Sequence, residues 1–72
     1  MKADDEFRFG RGILDDVRAL VEKAARENAI IVVAAEAKRI QANHPSSPVP
    51  PAKIEEVIIR LAMVRKLTVS FS

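Results

Sequence analysis

The chain contains no cysteine, tryptophan or tyrosine, a single histidine and only two glycines. Without thiols it has neither a disulfide to close its loops nor a thiolate for a structural zinc, and one His cannot build a transition-metal cage. A nucleophile with its base and orienting group is equally hard to assemble. The serines fall in predicted loops or near the C-terminus, and His44 lies in a proline-rich stretch. The expectation is a protein that is not an enzyme and holds no cofactor or metal. No apolar run approaches the ~18 residues a membrane span needs, and the N-terminal MKADDEF is acidic, unlike a signal peptide. That predicts a cytoplasmic protein with no membrane partner. A dominant sign of charge is also missing. Twelve basic and 10 acidic side chains, spread along the chain, leave a net +2, which is no nucleic-acid patch.

Apolar residues, by contrast, are abundant. They make up 49% of 72 residues, while a chain this short buries only about 60% of its unfolded surface. Such an excess points to a partner.

The densest apolar run is AIIVVAAEAKRIQAN, residues 29–43, with no Gly or Pro. At about 100° per residue, Ile30, Val33, Ala37 and Ile40 share one helical face, and Ile31, Val32 and Ala35 point nearly opposite. Residues 30–33 are all β-branched, which favours a strand. The continuation AAEAKRIQA is rich in strong helix formers, so the stretch reads as a central helix over 29–43. A helix apolar on two sides is buried on more than one side.

The other segments arrange themselves around it. Residues 1–6 are polar and expected to fray; the run Asp4-Asp5-Glu6 reads as solvated charge, since consecutive carboxylates do not converge on a cation. Glu6-Phe7-Arg8-Phe9 alternates, predicting a short strand over 7–9, and Gly10-Arg11-Gly12 a turn. Residues 13–27 form an amphipathic helix, with Ile13, Leu14, Val17, Leu20, Val21, Ala24 and Ala25 inward and Asp15 and Asp16 in its first turn against the helix dipole. The apolar stripe then swings by roughly 170°, so the helix either breaks near Asn28, the favoured reading, or runs on with its two halves packing on different partners. All four prolines lie in a stiff connector, 44–51; Pro45 stops the preceding helix and Pro51 suits the first turn of the next. His44 reads as a helix-end residue beside the C-terminal dipole. A last helix, 52–66, buries Ile54, Val57, Ile58, Leu61 and Val64 and leaves Ile59 and Met63 on its far side. Residues 67–71 alternate again, with Leu67, Val69 and Phe71 on one face, a natural pairing partner for the strand at 7–9. No internal repeat is evident.

The predicted fold class is mainly α: three helices, a helical hairpin plus an N-terminal helix, in one small domain with short terminal β-strands able to pair. Two functions compete. The favoured one is a non-enzymatic, self-associating interaction module, most simply a homodimer, in an unknown pathway and with room for an unidentified protein partner. Its candidate interface is Ile31, Val32, Val33, Ala35, Ile59 and Met63. Alternatively, three helices and a strand resemble in outline a helix-turn-helix DNA-binding regulator with residues 52–66 as recognition helix. Against that stand Glu55 and Glu56, placed where phosphate contacts would form, and a connector longer than the usual three or four residues.

Overall fold

The computed structural model describes residues 11–71, and it is mainly helical, with three helices and a two-stranded parallel sheet. The order is α1 (Arg11–Glu27), β1 (Ile31–Val32), α2 (Val33–Asn43), α3 (Pro51–Val64) and β2 (Val69–Ser70). The expected strand at 7–9 lies outside the described residues.

α1 begins two residues earlier than its periodicity suggests and takes Arg11 and Gly12 into its first turn. Asp15 and Asp16 therefore sit past that turn, which holds no acidic residue. Ile13, Val17, Val21 and Ala24 repeat at i, i+4, i+8 and i+11 and are buried. The helix ends at a left-handed residue, Asn28 (φ 54°), with Ala29 N–H donating back to the Ala24 carbonyl at 2.9 Å. That six-to-one bond is the Schellman closure, and Asn is among the few residues that adopt its conformation readily. The predicted break near Asn28 is thus present.

Beyond it the structure departs from the central helix expected over 29–43. Residues 29 and 30 belong to no helix or strand, Ile31 and Val32 form β1, and α2 starts only at Val33. The physical reason is the alternative partner: Ile31 N–H donates to the Thr68 carbonyl at 3.1 Å, so the β-branched run satisfies its backbone in a ladder while Ile31 fills the core. The two opposed apolar faces therefore never coexist on one helix. Ile31 points inward and Ile30 outward by strand alternation, whereas Val33, Ala37 and Ile40 form the buried stripe of α2.

α3 starts with Pro51 at its first helical position, behind Pro50 at the N-cap. It buries Ile54, Ile58 and Ala62, with Val57 and Leu61 half-buried beside them. Val64, expected inside, lies about 120° around the helix from Ile58 and is exposed. The helix closes as α1 does. Lys66 is left-handed (φ 58°), its N–H donates to the Met63 carbonyl at 3.0 Å, and Leu67 N–H donates to Ala62 at 2.9 Å. For a lysine this conformation costs about 1 kcal/mol.

These matching closures explain the sheet. α2 runs back along α1 until His44, its C-cap, meets Asp16, and α3 returns beside α2, so α1 and α3 point the same way. Each then releases an extended segment three residues past its left-handed residue, Ile31 after Asn28 and Val69 after Lys66. Those two residues are register partners, as are Val32 and Ser70, and the strands pair in parallel. Among the described residues, β2 thus pairs with the segment ahead of α2.

The core gathers around one cluster that also takes in Val49 from the connector. Gln41 Nε2 donates to the Val49 carbonyl at 3.2 Å, and Val49 N–H donates to Ser47 Oγ at 3.3 Å, so the connector is anchored as well as stiff.

Candidate functional site

Two ends of the molecule differ in chemistry. At one end His44 closes α2 against the start of α1. Its imidazole Nε2 lies 2.8 Å from Asp16 Oδ2, and the ring lies over Gly12, where an added Cβ would come 2.5 Å from His44 Cε1. The glycine therefore sits in a helix, despite its poor propensity, because the imidazole occupies the side-chain space. A double substitution tests this arrangement. In a His44→Ala background, Gly12→Ala should stabilise by about 0.5–1 kcal/mol, the helix gain of Ala over Gly. With His44 in place the same change displaces the ring and loses that gain. Urea unfolding of the four combinations measures the difference; equal effects in both backgrounds would separate the glycine from the histidine.

The His44–Asp16 pair has the geometry of an imidazole held by an orienting carboxylate. In the same connector, Ser47 Oγ accepts from Val49 N–H. A recess of about 440 Å³ beside the pair is lined by Asp16, Ala19, Leu20, Lys23, Glu36 and Arg39. Its Glu36 and Arg39 are bonded to one another at 2.7 Å, one turn apart on α2. Among the described residues no group of three or more His, Asp or Glu side chains is placed to hold a metal ion.

The opposite end carries the sheet, and there apolar side chains lie exposed alongside Arg26, Glu27, Arg65 and Lys66. The described chain leaves four large hydrophobic side chains exposed: Ile30 (62%), Met63 (70%), Val64 (73%) and Phe71 (64%). All four belong to this end, as neighbours of β1, of the α3 terminus and of β2. A groove of about 360 Å³ between α1 and α3 continues the surface, with Val21, Leu61 and Val64 along its floor and Arg18, Glu22 and Arg65 at its rim. Arg65 ion-pairs with Glu22 across that rim, an exposed contact of little energetic weight.

The six residues expected at an interface are divided by the fold. Ile31 and Val33 lie in the chain's own core and have no surface to offer a second molecule. Val32 is half-buried in β1, and Ile59 is half-buried against the core, while Ala35 and Met63 are exposed. Periodicity missed Ile30, Val64 and Phe71. A signal for Ile30 was available, since four β-branched residues in a row read with period two put Ile30 and Ile31 on opposite sides. For Val64 there was none: a residue at the margin of an amphipathic stripe is covered only if a neighbouring helix extends that far.

No helix among the described residues is long and apolar enough to cross a membrane. No protein-family model, no curated protein and no solved structure matches this chain.

Proposed function

We propose that the chain is a small, non-enzymatic interaction module that associates with itself, most simply as a homodimer, through its sheet end. The observation that carries this reading is the placing of Ile30, Met63, Val64 and Phe71, the four exposed large hydrophobic side chains among the described residues, at one end of the molecule. Single exposed apolar side chains are ordinary, whereas several at one end of a 72-residue chain, beside an apolar groove, mark a surface made to be covered.

The DNA-binding alternative draws less support from the same surfaces. Seven residues separate α2 from α3, more than a helix-turn-helix turn uses. On the first turns of α3, Lys53 is paired to Glu56 at 3.7 Å, and Glu55 adds an uncompensated negative charge where a phosphate would approach.

Association couples folding to concentration. The melting temperature should rise by several degrees when the protein is concentrated from low micromolar to near-millimolar. A melting temperature indifferent to dilution would refute the reading.

A further inference from the structure

We infer that the surface joining two copies is the edge of β2 that no described residue pairs with: it pairs antiparallel with β2 of a second copy across a two-fold axis at Val69 and makes a continuous sheet in the order β1-β2-β2-β1. This rests on the self-association reading and names its interface.

The backbone geometry leads there first. In a parallel ladder the residue that bonds inward straddles its register partner. Ile31 donates to Thr68 and is in register with Val69, so the N–H and C=O of Val69 face away from β1. β1 offers no comparable edge. Val32 is the N-cap of α2, its carbonyl accepts the first helical bond, and the helix departs immediately. Phe71 follows β2 directly with no helix or turn between, so the alternation of outward backbone groups carries onto it, while Leu67 N–H is taken by the Ala62 carbonyl. A second strand thus meets Val69 and Phe71 as donors and Leu67 and Val69 as acceptors.

That set is self-complementary. With Val69 facing its own copy, the two residues exchange both of their hydrogen bonds, and each Phe71 N–H meets the other copy's Leu67 carbonyl. The side chains agree. Residues 67–71 read Leu-Thr-Val-Ser-Phe, a sequence whose polarity is the same in either direction about Val69. Leu67 and Val69 pack against their own core, but Phe71, next on that face, extends past it and is exposed. The two-fold sets each Phe71 against the other copy's Leu67, at the margin of a core, and so covers an aromatic ring that its own chain leaves in water. No charged side chain interrupts residues 67–72, and neither a lysine nor a proline blunts the edge between Leu67 and Phe71.

Sedimentation equilibrium over the same concentration range tests the edge with two variants. Val69→Pro removes an outward N–H, leaves the bond from Ile31 to Thr68 in place, and keeps a φ that an edge strand accepts. It should weaken the dimer about ten- to hundredfold, while the dilute chain, which loses the packing Val69 makes on its core, stays folded by circular dichroism. Val69→Cys places a thiol on the axis of a chain that has no other. Across a hydrogen-bonded antiparallel pair the Cα atoms stand about 5.5 Å apart, within disulfide range, so mild oxidation should give a covalent dimer. Ala42→Cys, on the exposed side of α2, should not. A native chain that is monomeric throughout would end both the association reading and this one. A native dimer that survives Val69→Pro and fails to cross-link through Cys at position 69 would overturn the edge alone and move the contact to the α1–α3 groove. Dissociation by Phe7→Ser with Phe9→Ser, in the full chain, would name residues 7–9 as the occupant instead.

Discussion

Ile31→Asp should unfold the protein, whereas Ile30→Asp should shift the stability of the dilute chain by less than about 1 kcal/mol. The two residues are adjacent, chemically identical and β-branched, and they differ only in side. Ile31 is 2% exposed and sits in the core behind its bond to Thr68, while Ile30 faces water. A carboxylate at position 31 would be buried without a partner, at a cost of several kcal/mol, and Asp is too short to reach solvent. A chain of this length has in total only about 4–11 kcal/mol to lose. Thermal unfolding followed by circular dichroism at low micromolar concentration separates the outcomes. Equal effects at the two positions would return the stretch to a helix and remove β1.

The second large effect belongs to α3. Ile58→Ala should cost about 2–5 kcal/mol, because it leaves a cavity at a fully buried side chain of the core cluster. Val64→Ala, six residues later, should change the dilute chain by no more than about 0.5 kcal/mol. Periodicity alone ranks both inside, since both fall within the wide apolar arc of residues 52–66. The fold separates them, because the buried stripe is the narrow row Ile54, Ile58 and Ala62. Urea midpoints measured below the concentration of association decide it; similar losses from both variants would place Val64 in the core.

How much of this was legible from residues follows from what each signal depends on. The three helices, the stop at Asn28 and the proline connector were readable because local chemistry sets them: an apolar period near 3.6, a residue that tolerates left-handed φ, and a ring that forbids a helical bond. The strand at Ile31 was not, because its ladder bond goes to Thr68, 37 positions away, and local composition supported both states. The same distance hid β2's partner. Alternation over 67–71 announced a strand and its inner face but carried no address, and the parallel pairing comes from α1 and α3 sharing a direction and a closure. The candidate interface erred for a related reason. It was drawn on a helix with two apolar sides, and once Ile31 and Val33 enter the core the exposed residues are Ile30, Met63, Val64 and Phe71.

His44 illustrates the reverse case. Its place at the end of a helix was readable, since Pro45 follows it. Its bond to Asp16 spans 28 positions and gives Gly12 a reason to be glycine that no local pattern contains.

The mass of the native chain in solution bears most directly on the claim that its sheet end is a self-association surface. Multi-angle light scattering from low micromolar to near-millimolar concentration should begin at the chain mass of 8.0 kDa and rise toward twice that value. A mass that stays at 8.0 kDa throughout would contradict the account and leave a self-sufficient three-helix domain.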